Sequence, residues 1–192
     1  MNVAEAITSR RSVGRVRQDG ISRERILRMI EAATWAPNHK VTEPWRFVVI
    51  AGDARDALGE AHADAVARTA GTPLSAEARS GAVALTRRAP VIIACICTPS
   101  SDDPVVRRED RDAVAAAVQN LGLAAHADGL GTIWRTGLFV DEDEVRAHLG
   151  CAPRDEIVGF VYVGEPEETP PAPPRRPAEA VTEWRGWDAS PG

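Results

Sequence analysis

The chain has 192 residues, 44% of them hydrophobic, and a formal net charge of −5. That length can bury a substantial core in one domain, and the acidic balance argues against nucleic acid or an anionic membrane surface as the main partner. The three cysteines are odd in number and lack metal-ligand spacing, so they suggest neither a disulfide framework nor a metal site. No stretch approaches a membrane span, and residues 1–30 lack the apolar core of a signal peptide, so a cytoplasmic location is the expectation.

In chain order, residues 3–10 read as a short helix that ends at an arginine pair. Ser22 is a good N-cap for a second helix, in which Ile26, Leu27, Ile30 and Ala33 form an apolar stripe before Pro37 closes it. Residues 45–50 (WRFVVI) read as a buried strand. Two surface helices follow, over about 53–69 and 75–88, separated by Gly71, Thr72 and Pro73. Residues 90–97 are apolar throughout, as expected of a strand covered on both faces. Cys95 and Cys97 alternate within it and face one side as small hydrophobes.

After the polar loop at 100–104 comes the longest helix, about 106–128. Val114, Val118, Leu121 and Ala125 recur at i, i+4, i+7 and i+11, while its many alanines leave it slim enough for close helix contact. Gly129 and Gly131 end it before a short strand at 132–135. Asp141 with Glu144 reads as a capping box for a helix ending near Gly150, and residues 157–164 (IVGFVYVG) form the last core strand. From Glu165 onward prolines dominate, so residues 166–192 read as an extended arm beyond a domain of residues 1–165. Trp184 and Trp187 near its end require burial on this domain or on a neighbour.

Three separated fragments carry chemistry. Arg10-Arg11-Ser12 and Gly131-Thr132-Ile133-Trp134-Arg135-Thr136 each set guanidinium groups beside a hydroxyl, equipment suited to a phosphate. Asn38-His39-Lys40 places polar donors on a Pro-bounded loop, and Lys40 is the only lysine among 23 basic residues. Each fragment alone has a plain structural explanation: a helix end, an ion pair at a strand end, a turn. His62, His126 and His148 fall on helices without companion ligands and read as surface or structural residues. Gly129-Leu130-Gly131 follows a helix rather than a strand and is not a dinucleotide fingerprint.

Taken together and in this order, the three fragments resemble the nitroreductase family, in its small, single-domain FMN-binding branch, over roughly residues 4–165. The resemblance implies an α+β fold, a mostly antiparallel central sheet flanked by helices, forming an intertwined homodimer with FMN at the subunit interface. It implies a flavoprotein oxidoreductase working by ping-pong hydride transfer, from NAD(P)H through FMN to a nitroaromatic, quinone or similar small-molecule acceptor. On that reading Arg10, Arg11, Ser12, Trp35, Asn38, His39, Lys40, Trp134, Arg135 and Thr136 contact the cofactor. Arg10 and Arg135 together hold the phosphate or ribityl chain, and Lys40 or protonated His39 tunes the flavin; no side chain is assigned a catalytic role of its own. Trp35 stands where several relatives carry an arginine, and is either core or a flavin-pocket residue. Other flavin chemistry on the same fold, such as dehalogenation or flavin breakdown, a non-catalytic FMN-binding or storage protein, and a helical interaction domain without cofactor are the alternatives.

Overall fold

The computed structural model describes residues 1–137 and 140–187. Its elements are α1 (Val3–Ser9), α2 (Arg23–Thr34), β1 (Trp45–Ala51), α3 (Ala54–Ala70), α4 (Ala76–Ala84), β2 (Val91–Cys97), α5 (Pro104–Ala127), β3 (Gly131–Arg135), α6 (Asp143–His148) and β4 (Glu156–Gly164). The four strands form one fully antiparallel sheet in the order β1-β2-β4-β3. This is the mixed α+β architecture expected from the sequence.

Helix boundaries follow local chemistry. Asn2 and Glu5 form a capping box on α1, and the Ser22 hydroxyl accepts the Arg25 amide to start α2 as expected. Helix α5 starts two residues earlier than its apolar pattern suggests. Pro104 occupies its first turn, where a missing N–H costs nothing, and the Asp103 carboxylate caps the Val105 and Val106 amides. Its 24 residues extend about 36 Å.

Strand alternation divides the core into two layers. Ile93, Cys95, Cys97, Val161 and Val163 meet α2 and α5, with Val114, Val118, Leu121 and Ala125 all buried in that layer. Ile92, Ala94, Ile96, Phe160 and Tyr162 fill the opposite face with Leu58 of α3 and Val145 of α6. All seven residues of β2 are buried, as expected. Burial pushes the Cys95 thiol up to about 12, and burial with the nearby Asp110 and Glu156 carboxylates does the same to Cys97, so both remain protonated.

Three expectations are corrected. Strand β1 is only half-buried, because it is the outermost strand and its free edge faces solvent. Helix α4 ends at Ala84, giving way to a 3-10 turn at Thr86–Arg88. Helix α6 is capped by Glu142 without a side-chain bond, and no Asp141 capping box forms. The Glu142 carboxylate instead takes Nδ1 of the buried His62 at 2.8 Å, since a buried ring nitrogen left without a partner is costly.

The segment after α1 positions the site. Ser12 bridges Thr132 in parallel register, and the Val13 amide donates to the Thr132 carbonyl at 2.9 Å. Val16 then bridges Pro166, so this segment lines the outer edge of β3 and meets the start of the arm. The backbone must approach closely here: a Cβ on Gly131 would lie 2.9 Å from the Val13 side chain. Farther along, the arm runs exposed through a 3-10 turn at Ala178–Val181. The Trp184 and Trp187 rings meet at a 49° tilt with centroids 5.4 Å apart yet remain 66% and 72% exposed, so the arm does not bury them on its own domain.

Gly159 makes room for the Trp134 indole: an added Cβ would collide with Trp134 Nε1 and lie 2.9 Å from the Arg135 carbonyl oxygen. Gly159→Ala is expected to destabilise the fold by about 1–3 kcal/mol and displace Trp134. Urea unfolding with tryptophan fluorescence checks it; an unchanged midpoint would contradict this packing.

Candidate functional site

A cleft of about 210 Å³ lies between α5 and β3. Arg10 and Ser12 enter from the segment after α1, Thr132 and Trp134 from β3, and Val118, Gln119 and Gly122 from α5, with Val161 behind. Thr132 and Trp134 reach the same side because alternate strand residues share a face. Gly122 keeps the helix side of the cleft open. A Cβ there would sit 3.6 Å from Arg10 Cδ and 3.7 Å from Thr132 Oγ1, filling space that is now free.

The electrostatics of this cleft are unbalanced. The Nε atoms of Arg10 and Arg11 are buried without a hydrogen-bond partner, although Arg11 Nη1 donates to the Arg10 carbonyl at 2.5 Å. Buried polar groups are nearly always paired, so unpaired guanidinium donors lining a polar cleft are suited to an anion. Ser12 and Thr132 add hydroxyls that can donate to the same ligand.

A second, more open cleft of about 410 Å³ lies farther along α5, between Pro37, Asn38 and His39 of the loop after α2 and Glu109, Asp112, Ala113 and Ala116. Ala116 and Gln119 are three residues apart on one helix, so the two clefts adjoin along it.

The loop that walls this second cleft is strained. Lys40, Val41 and Glu43 have φ of 55°, 54° and 46°, a conformation that non-glycine residues rarely adopt and β-branched valine least of all. Side chains hold it there. Asn38 Oδ1 accepts the Glu43 amide at 3.0 Å, and the Thr42 hydroxyl donates to Asp110 Oδ1 at 2.7 Å. Asp110 is 1% exposed, and its other oxygen accepts the Ser100 amide and hydroxyl at 2.7 and 2.8 Å. Burial pushes this carboxyl up, but the bonds from Ser100 and Thr42 and the charge of His39 outweigh it and hold it below its ordinary value.

The structure brings together Arg10, Ser12 and Trp134 in the first cleft, with Arg11 beside them, and Asn38 with His39 in the second. It does not bring Arg135 to Arg10 within one chain. Arg135 has the parity of Ile133, which packs on the opposite core layer, and its guanidinium sits 5.5 Å from the centre of the Tyr162 ring. Lys40 and Thr136 are exposed, and Trp35 is 82% exposed at the C-cap of α2, which overturns its reading as core. Gln119 and Gly122 lie outside the three fragments, Thr132 lies in the third without an assigned role, and His126 reads from sequence as surface or structural. Gly122 alone carried a sequence signal, since glycine inside a helix costs about 1 kcal/mol relative to alanine and calls for a reason. Among the described residues no cluster of His, Cys, Asp or Glu is placed to hold a metal ion, and no helix is long and apolar enough to cross a membrane.

The sequence model of the Nitroreductase family matches residues 7–165. YdjA of Escherichia coli (strain K12), named for NAD(P)H nitroreductase activity, is 32% identical over 168 residues, 87% of this chain and 90% of that protein. The crystal structure of a nitroreductase-like family protein from Bacillus cereus superposes with a TM-score of 0.84 at 25% identity, over 97% of each chain. A nitroreductase-type protein from Desulfovibrio desulfuricans, solved in complex with FMN, matches with a TM-score of 0.74 at 27% identity over 97% of this chain and 98% of its own.

Removing the Asp110 carboxylate leaves the Thr42 hydroxyl and the Ser100 donors without their shared acceptor. Asp110→Ala is expected to cost about 3 kcal/mol and to free the 38–43 loop, measured by denaturant unfolding and by proteolysis within the loop. Because the folded carboxyl is held low, its contribution is complete above the unfolded carboxylate range and is lost as pH falls through the lower folded value. The stability difference between wild type and Asp110→Ala should therefore shrink in strong acid; a difference that grew there would contradict the assignment.

Proposed function

This chain belongs to the nitroreductase family, and from that premise we propose that it is an FMN-dependent oxidoreductase carrying electrons from NAD(P)H to a small-molecule acceptor such as a nitroaromatic or a quinone. The observation that carries this reading is the buried, unpartnered Nε of Arg10 at a cleft completed by Ser12 and Thr132. A phosphate dianion satisfies that donor and the neighbouring hydroxyls at once, so the residues present fit a flavin mononucleotide. The FMN-bound relative from Desulfovibrio desulfuricans supports the same cofactor.

When bound, FMN would supply the redox chemistry between NAD(P)H and the acceptor, in ping-pong order on this reading. The chain's residues bind, orient and tune. Arg10, Arg11, Ser12 and Thr132 hold the phosphate end, and Trp134 gives the cleft an apolar wall. Asn38 and His39, on a rigidly tethered loop, would offer polar groups to the ring, and the Lys40 ammonium beside them would favour its negatively charged reduced form.

The reading includes an intertwined homodimer. Trp35 and Thr136 are exposed and lie outside the first cleft of their own chain, which suits them to completing the site of a second copy. The exposed Trp184–Trp187 pair on the arm, residues 166–192, is a large apolar area that a partner would cover. The domain itself is residues 1–165.

Purified protein is expected to be yellow and to bleach anaerobically with NADH or NADPH. A yellow protein that neither nucleotide bleaches would point to FMN storage, and a preparation that stays colourless after incubation with FMN would overturn the reading. Arg10→Ala should weaken FMN binding about 30- to 150-fold, the equivalent of 2–3 kcal/mol for a charge-assisted bond. Lys40→Met should instead lower the flavin midpoint potential while largely retaining FMN, as read by potentiometric titration.

Sedimentation at micromolar concentration is expected to give a dimer, and truncation after Pro177 should lower its thermal stability. A monomer that retains FMN would remove the shared site.

A further inference from the structure

Next to the candidate cofactor cleft lies a smaller one of about 130 Å³, and Arg10 and Thr132 line both. Its remaining polar groups come from Arg11, from His126 on the last turn of α5, and from Thr169 at the base of the arm. Arg11 Nε is buried without a partner here, as Arg10 Nε is. The cleft is therefore a small, mostly apolar enclosure into which two arginines and one imidazole reach.

The tautomer of His126 follows from its neighbour. The Ser9 hydroxyl has one proton and donates it to the Glu5 carbonyl at 2.5 Å, one turn back along α1. With that hydrogen on the Glu5 carbonyl, the Ser9 oxygen accepts from His126 Nε2 at 2.7 Å, which puts the ring hydrogen of the neutral imidazole on Nε2. Nδ1 has no hydrogen-bond partner among the described residues.

Among the described residues no carboxylate lines this cleft. Arg10 and Arg11 face the ring from the segment after α1, while Pro166 and Thr169 of the arm bring no charge. Asp128, two residues on from His126, is taken by Arg25 and Arg28, Glu165 by Arg25 and Arg17, and Glu5 by the Asn2 amide. Burial, then the two guanidinium groups, hold the imidazole below its ordinary value despite its favourable place at a helix C-terminus.

We propose that His126 is a further ligand of the cofactor phosphate, recruited by protonation: its imidazole takes a proton from water at Nδ1 when a phosphate dianion settles between Arg10 and Arg11. The bound dianion reverses the local field, and the new Nδ1–H gives it one more charge-assisted donor. One proton moves from solvent to imidazole and no covalent bond to the ligand forms. This inference rests on the assignment of FMN to the adjoining cleft.

Proton uptake on binding separates it from that assignment. At pH 7.5 the FMN phosphate is already almost wholly dianionic, its second ionisation lying near 6, so the phosphate itself cannot supply the signal. Calorimetric titration of FMN into the full-length apoprotein, in phosphate-free buffers of different ionisation enthalpy, is expected to show uptake of about half a proton or more. Riboflavin, lacking the phosphate, should bind with none.

His126→Gln should abolish the uptake and weaken FMN on the order of tenfold at pH 6.5, with a smaller loss at pH 8.5. His126→Lys, charged in both states, should bind FMN near wild-type strength without uptake. Inorganic phosphate in place of FMN tests the anion alone; uptake with phosphate but not with FMN would make this a separate phosphate site and overturn the proposal. So would FMN binding without uptake in wild type, or uptake that persists in either variant. Failure of wild type to bind FMN at all would instead overturn the functional reading.

Discussion

The site depends on one short backbone seam, where Ser12 and Val13 pair with Thr132 at the outer edge of β3. That pairing fixes the height of Arg10 on the sheet, and glycines on both sides allow it: Gly131 lets Val13 approach, and Gly122 keeps α5 from filling the space between. The arginines are consequently held by backbone hydrogen bonds rather than by carboxylates. Their charges remain uncompensated, whereas Arg25, Arg46, Arg68, Arg79 and Arg87 elsewhere all have acidic partners. A chain with net charge −5 thus keeps a local excess of positive charge where an anion can enter.

The rest of the architecture supports this arrangement by separating rigid from strained parts. Strand β2 and the buried stripe of α5 form a core in which every side chain is packed, and the seam rests against its edge. Strain is concentrated in the loop from Asn38 to Glu43, at the second cleft. Three left-handed non-glycine residues persist there because Asp110 and Asn38 over-determine the loop from inside. A polar loop locked in this way can present side chains to a planar ring without having to be ordered on binding.

Much of this was legible in the sequence. The Ser22 cap, the Val114–Ala125 stripe and the uniformly apolar β2 each obey a single local rule, and the structure obeys it too. The motif at Arg10, Arg11 and Ser12 was visible because it crowds donors of one kind. What escaped depended on long-range geometry. The open edge of β1 follows from strand order, which no period in β1 encodes. The start of α6 moved because Glu142 is claimed by His62, eighty residues away. Arg135 looked equivalent to Arg10 by composition, but strand parity turns it to the other face of the sheet, over Tyr162. His126 looked structural because the arginines that give it meaning are more than a hundred residues distant in sequence.

The central claim is that uncompensated guanidinium groups beside the Ser12–Thr132 seam hold a phosphate, so that phosphate recognition dominates cofactor affinity. Comparing the dissociation constants of FMN and riboflavin for the apoprotein at low ionic strength tests it most directly. The account predicts that FMN binds at least about a hundredfold more tightly, the share of two charge-assisted contacts, and that the advantage narrows with added salt only modestly because the contacts are buried. Equal affinities for the two flavins would contradict it.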